Sequence, residues 1–179
     1  MLARVSTLLV AGLVLASGAV AQDRPRAVRT FEFQRWQVAY DSYDVNGWST
    51  CSMNLTWPTG LWVNFVSFDG SDLMINIIGR DWAVSKKESE VTFEVDSGYG
   101  RRLMFDGGGD NLFFSIRNQP EDMAELLDAV GKSRWLGMGF PNGDRHQGGI
   151  AGADKAVAEF RRCLAEWAGK KTGATPPRR

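Results

Sequence analysis

Apolar and polar residues alternate in short runs along most of the chain, a pattern typical of β-strands with one buried face. Residues 33–40 place Trp36 and Val38 on one face and polar side chains on the other. Residues 61–68 (LWVNFVSF) are apolar on both faces, which predicts a strand near the centre of a sheet. Further strands are predicted at 49–56, 73–78, 91–95, 101–105, 112–116, 134–140 and 145–150.

Tight-turn signals separate these strands. Asn46-Gly47 is a strong hairpin signal, and Pro58 suits the second position of a turn. The run 107–110 (GGGD) leads into strand-like residues, whereas a phosphate-binding loop leads into a helix, so we interpret it as a hairpin turn. Consecutive strands joined in this way are most simply antiparallel.

Residues 120–131 and 148–167 instead repeat apolar residues every three or four positions, which is the period of a helix with one buried face. Pro120 suits the first helical position, and Gly131 suits the end of that helix. The apolar face of the second helix consists of Ala156, Phe160, Cys163, Leu164 and Trp167. Its polar residues are expected to face water: Glu159, Arg161, Arg162 and Glu166.

Strands followed by helices predict an α+β fold, with an antiparallel β-meander or sandwich-like sheet and two helices packed on it. The chain contains two cysteines, Cys51 on an early strand and Cys163 on the last helix. In an exported chain two cysteines indicate one disulfide, which here ties the C-terminal helix to that strand. A free reactive thiol at Cys163 is the alternative, but no histidine lies nearby in sequence.

The first residues have the pattern of an export signal. Arg4 is followed by the apolar run 8–16 and by a small-residue cleavage site that ends at Ala21, before Gln22. The apolar run is shorter than the about 20 residues of a membrane-spanning helix. We therefore expect a periplasmic or secreted protein without a membrane span. The predicted organisation is a signal peptide at 1–21, a flexible linker at 22–30, a single β-rich domain at 31–168 and a disordered basic tail at 169–179.

The distribution of charged residues along the chain limits the classes of partner that it can bind. Residues 30–169 contain 13 lysines and arginines and 20 acidic residues, a net charge of −7. The basic residues outside this range lie in segments rich in proline and glycine, which are typical of disordered ends. An acidic body argues against nucleic-acid binding, which needs a basic face on the folded part.

Residue types that carry catalysis form no recognisable motif. His146 is the only histidine and lies in the last predicted hairpin, without a nearby nucleophile or carboxylate that the sequence identifies. The histidine and cysteines lack the spacing of zinc ligands. No spacing among the acidic residues singles out an acid/base couple. We therefore predict no catalytic residue, cofactor or metal site.

Tryptophan is the one unusual feature of the composition, with seven residues. Trp48 and Trp57 lie at turns on either side of the Cys51 strand, and Trp62 begins the next strand. Exposed rings there could stack on a sugar or anchor a protein partner. The alternative is that they pack in the core and close the turns.

The export signal, the Trp36 strand, Cys51 and the ending 152–163 (GADKAVAEFRRC) resemble small periplasmic and secreted proteins of proteobacteria, including the invasion-associated locus B group. This resemblance implies a secreted, β-rich, disulfide-closed domain and identifies no catalytic residue.

We expect an exported, non-catalytic binding or interaction protein whose partner is an envelope component or another protein. Two alternatives remain open. One is a hydrolase that uses carboxylates in a cleft, and the other is an inhibitor of a secreted hydrolase.

Overall fold

The computed structural model describes residues 26–43, 48–57, 60–68, 70–79, 89–108, 111–117 and 119–168. These residues form ten strands and two helices. The strands are β1 (Arg26–Phe33), β2 (Trp36–Tyr43), β3 (Trp48–Thr56), β4 (Leu61–Ser67), β5 (Asp72–Gly79), β6 (Ser89–Val95), β7 (Gly100–Gly108), β8 (Asn111–Arg117), β9 (Trp135–Gly139) and β10 (Arg145–Gly149). The helices are α1 (Pro120–Gly131) and α2 (Ala153–Ala168).

The ten strands form one antiparallel sheet in the order β1-β2-β3-β4-β5-β8-β7-β6-β9-β10. The first five strands are a meander in which each strand pairs with the next. β8 then pairs with β5, and β7 and β6 continue the sheet outward to the β9–β10 hairpin. The predicted α+β class, an antiparallel sheet with two helices, is confirmed.

The prediction of a flexible linker at 22–30 is wrong from Arg26 onward, because β1 begins there and pairs with β2. Phe31 and Phe33 pack against the core while Thr30 and Glu32 are exposed, so the apolar alternation covers only the last residues of this edge strand. The pairing also shifts register between Ala27 and Arg29, which interrupts the two-residue period.

Several predicted segments lie outside the described residues. They include the signal peptide at 1–21, the cleavage site between Ala21 and Gln22, the turns at Asn46-Gly47 and Pro58, the end of the 107–110 run and the basic tail at 169–179.

A cluster of aromatic rings shows that the sheet bends back on itself. The ring of Phe65 on β4 lies 6.1 Å from that of Trp36 on β2 and 6.5 Å from that of Phe93 on β6, between centroids. β4 and β6 are four strands apart in the sheet, which corresponds to about 19 Å if the sheet were flat. The inner faces of the two halves therefore meet across one core.

The predicted disulfide is confirmed, and it joins β3 to α2. Cys51 and Cys163 are bonded with their Cα atoms 5.9 Å apart, and both residues are buried. Phe160 and Leu164 on the same face of α2 are also buried, as the helical period predicts. The side chain of Trp167 lies outside the described part of the structure.

Glu159 does not face water, so that expectation is wrong. Its side chain is 6% exposed, accepts a 2.7 Å hydrogen bond from the hydroxyl of Tyr40 and pairs with Arg162 at 2.9 Å. Glu159 lies three positions after Ala156 and four before Cys163, both on the apolar face, and so borders the surface that packs on β2 and β3. The hydrogen bond from Tyr40 on the sheet offsets the free-energy cost of burying this carboxylate.

Residues of α1 follow their predicted pattern, with Leu126, Leu127 and Val130 buried and the helix ending at Gly131. Within the described residues, neither helix has the length and apolar character that a membrane crossing requires.

Candidate functional site

The three tryptophans singled out by the sequence differ in their surroundings. Trp62 is 39% exposed, whereas Trp57 is only 4% exposed. The prediction that Trp57 offers a ring to a ligand is therefore wrong. Its indole packs against Gly148, where an added Cβ would lie 2.6 Å from Nε1. The side chain of Trp48 lies outside the described part of the structure.

Trp62 lies on the side of β4 that faces away from the core, which we call the outer face of the sheet. Strand alternation places Trp62, Asn64 and Val66 on this face, and Leu61, Val63 and Phe65 on the core side. The antiparallel register fixes their neighbours. Trp62 lies opposite Thr56 on β3 and Ile78 on β5, while Asn64 lies opposite Asn54 and Asn76.

The three asparagines form a row across three strands, which we call the amide ladder (Asn54, Asn64 and Asn76). The Nδ2 of Asn76 donates to the Oδ1 of Asn64 at 3.0 Å, and the Nδ2 of Asn64 donates to the Oδ1 of Asn54. Each amide offers two donor hydrogens and a carbonyl acceptor, so the ladder uses part of this capacity. The bonds hold the three amide groups in a fixed orientation on the outer face.

Two aromatic rings flank the amide ladder. Phe113 on β8 lies opposite Asn76 and is 38% exposed. Trp62 and Phe113 belong to strands two positions apart in the sheet, a separation of about 10 Å across the strands. The outer face therefore presents Phe113 at the β8 end of the ladder row and Trp62 beside Asn64, one row away.

Asn111 extends the row of Trp62, because it lies opposite Ile78 on the next strand. Its Oδ1 is buried and accepts no hydrogen bond within the described residues. An unsatisfied buried acceptor costs about 1–3 kcal/mol.

A second polar group lies further along the outer face, on β2 and β3. The carboxylate of Asp41 accepts a 3.2 Å hydrogen bond from the hydroxyl of Ser52, and Thr50 lies opposite Asp41. Burial raises the pKa of Asp41, because desolvation disfavours the charged carboxylate, and the Ser52 hydrogen bond opposes this effect. This group joins β2 to β3 next to the amide ladder.

Arginine and lysine side chains neutralise many carboxylates elsewhere. A carboxylate that acts as an acid or a nucleophile in hydrolysis works beside a second carboxylate rather than as a structural ion pair. Within the described part of the chain, the following carboxylates have a cationic partner: Glu90, Glu94, Asp96, Asp122, Glu125, Asp128, Glu159 and Glu166.

His146 lies on β10, away from the amide ladder, and its ring meets that of Phe140 edge-on at 5.6 Å between centroids. Within the described residues, no three His, Cys, Asp or Glu side chains come together as metal ligands.

The sequence pattern identified Trp62 but missed the amide ladder and Phe113. Asn54, Asn64 and Asn76 each lie between two apolar residues of a predicted strand, and this placement was the available signal. Their alignment depends on the register of two hairpins, which single-strand periodicity does not give. No protein-family model, curated protein or solved structure matches the chain.

Proposed function

We propose that this is an exported, non-catalytic binding protein that contacts its ligand or partner with the outer face around the amide ladder. The observation that carries the proposal is the ladder itself, flanked by the exposed rings of Trp62 and Phe113. Aromatic rings contribute large contact areas at binding surfaces, and fixed polar groups beside them provide specificity.

Export is supported by two independent features. The disulfide between Cys51 and Cys163 is of a kind that persists in oxidising compartments and is rare in the cytosol. The pattern of residues 1–21 is that of a cleaved signal peptide. We infer a periplasmic or secreted location, and mass spectrometry of the exported protein should find Gln22 at its N-terminus. An exported protein that retains Met1 would contradict this.

The chemistry of the amide ladder favours binding over hydrolysis, since asparagine amides donate and accept hydrogen bonds without ionising. Eight acidic side chains of the described residues are held by arginine or lysine, and the amide ladder contains no ionisable group. An inhibitor of a secreted hydrolase would be one form of such a binding protein, with a protein as its partner.

The test is a titration of the purified protein with fractionated envelope extract from its source, followed by tryptophan emission and co-elution. We expect the wild type to respond to a fraction that Trp62→Ala and Phe113→Ala fail to retain. The control variant is Gln147→Ala, which removes an exposed amide on β10, six strands away from β4 in the sheet. Equal retention by all of these proteins would contradict the assignment of the surface.

A further inference from the structure

The charge pattern of the outer face limits the chemistry of its ligand. The amide ladder, Trp62, Ile78 and Phe113 are all uncharged. The row of the ladder continues on both sides to neighbouring strands. At one end Gln37 lies opposite Asn54 and Glu32 opposite Gln37, and at the other end Asp106 lies opposite Phe113, so both ends of the row are acidic. An anionic ligand would meet like charges at both ends of the row. The surface therefore suits a neutral ligand.

The two rings suit an extended ligand with flat apolar faces. Trp62 and Phe113 are separated by two strand spacings, about 10 Å across the sheet, and by two residues along the strands, about 7 Å, so they lie about 12 Å apart. Pyranose rings with equatorial hydroxyls carry C–H groups on their faces, and these groups pack against aromatic rings. The separation is close to the length of a disaccharide, so two sugar rings of one extended chain can each contact an aromatic ring.

The amides between the rings suit hydroxyl groups. A sugar hydroxyl both donates and accepts hydrogen bonds, and an asparagine amide does the same through its Nδ2 and Oδ1 atoms. Asn64 is only 8% exposed, whereas Asn54 and Asn76 are partly exposed and are held in place by it, so less side-chain freedom is lost when their amides bind a ligand.

We propose that the outer face binds a neutral, β-linked oligosaccharide in an extended conformation, a ligand class that rests on the proposed binding function. Two of its sugar rings lie on Trp62 and Phe113, and its hydroxyls bond to the amide ladder. β-Linked chains of this kind are flat ribbons, whereas α-linked chains curve away from a sheet surface and would reach one ring at a time.

The test is isothermal titration of the full-length mature protein with four probes. Cellohexaose and chitohexaose are neutral and β-linked, maltohexaose is neutral and α-linked, and polygalacturonate is anionic. We expect saturable binding of cellohexaose, chitohexaose or both, and at least about tenfold weaker binding of the other two probes. One ring contact or one bidentate amide contributes about this factor.

Variants locate the binding on the outer face. Trp62→Ala and Asn76→Ala should each weaken binding of the β-linked probe about tenfold, while Trp62→Phe, which keeps a ring, should lose less. Gln147→Ala should bind as the wild type does. If Trp62→Ala fails to fold, Trp62→Leu serves instead, because it keeps an apolar side chain opposite Ile78 and removes the ring. Weaker binding of the β-linked probe by Trp62→Leu would then support the assignment.

Two outcomes would overturn the inference. One is no saturable binding of either β-linked probe, and the other is equal or tighter binding of maltohexaose or polygalacturonate. If the carbohydrates fail but retention of an envelope fraction still depends on Trp62 and Phe113, the ligand class is wrong and the proposed surface stands. If retention is also independent of these residues, the proposed function fails as well.

Discussion

Gly148 has to be a glycine because the indole of Trp57 occupies the space of a side chain. An added Cβ would lie 2.6 Å from Nε1 and 2.7 Å from Cε2 of that indole. The neighbouring Gly149 has room, since the nearest atom to its added Cβ is the carbonyl oxygen of Arg134 at 3.8 Å. Replacing each glycine by alanine therefore tests the close contact between β10 and Trp57, with Gly149 as the matched control.

We predict that Gly148→Ala lowers the free energy of unfolding by about 1–3 kcal/mol, the usual cost of overpacking a buried site. Gly149→Ala should be neutral or slightly stabilising, because alanine reduces the freedom of the unfolded chain. Urea unfolding of both variants measures the difference. Equal effects of the two substitutions would show that Trp57 does not pack closely on β10.

Tyr40 is a second residue whose role depends on its surroundings. Burial raises its pKa from 10.0 to about 12, assisted by the hydrogen bond to Glu159 and by the charge of that carboxylate. The raised pKa means that the folded protein favours the neutral phenol. The corresponding stability is fully present below pH 10 and is lost as the pH rises toward about 12.

We therefore predict that the stability of the wild type falls between pH 10 and about 12 more steeply than that of Tyr40→Phe. At neutral pH, Tyr40→Phe should cost about 1–3 kcal/mol, because it leaves the buried Glu159 without its hydroxyl donor. Denaturant unfolding across this pH range measures both effects. Parallel pH profiles would contradict the assigned pKa.

At the scale of elements, the start of α2 is set by a close approach to β1. Gly152 precedes the helix with φ at +88°, and an added Cβ would lie 2.7 Å from the carbonyl oxygen of Phe33. The indole Nε1 of Trp36 also donates to the carbonyl of Ile150 at 3.1 Å. These contacts join the β1–β2 turn to the segment that leads into α2.

We predict that Gly152→Ala is more destabilising than Gly143→Ala. Both glycines have positive φ, which strains alanine, but no atom lies within 4 Å of an added Cβ at Gly143. The difference therefore measures the clash with β1, which we expect to be about 1–3 kcal/mol. Thermal unfolding of the two variants is sufficient, and similar losses would show that α2 can shift away from β1.

The elements differ in how far the sequence predicted them. Core strands such as β4 and both helices follow from the spacing of apolar residues, because each buries one continuous face. β1 was missed because it is an edge strand with exposed polar residues and a register shift. The burial of Glu159 was also missed, because it depends on Tyr40, which lies 119 residues away in the chain.

The candidate site was predicted less well than the fold. Trp62 was identified from its place at the start of a strand, but Trp57, also named as a possible ligand contact, is buried against Gly148. Asn64 meets Asn54 and Asn76 only after three strands adopt one register. This alignment depends on the register between strands, so the periodicity of residues within one strand does not predict it.

At the scale of the whole molecule, the disulfide joins elements that are far apart in the chain. Cys51 and Cys163 are separated by 112 residues, and the bond holds α2 against the first half of the sheet. The loop-entropy model assigns about 5 kcal/mol to a crosslink that closes a loop of this length, which is an upper figure.

We predict that the double variant Cys51→Ala/Cys163→Ala loses up to about 5 kcal/mol of unfolding free energy. Wild-type protein unfolded with and without reductant is the control, and reduction should add about two daltons to the intact mass, one hydrogen per sulfur. Unchanged stability of the double variant would mean that packing alone holds α2 in place.

The strand order has a consequence for the route by which the chain folds. β1 to β5 are neighbours both in the chain and in the sheet, so hairpins of low contact order can assemble them. β8 pairs with β5 only after an excursion in which 32 positions separate Gly79 from Asn111, and such non-local pairing slows folding. We expect the pairing of β8 with β5 to limit the rate of folding. The meander that carries the amide ladder should therefore form early, and the disulfide between Cys51 and Cys163 should form late.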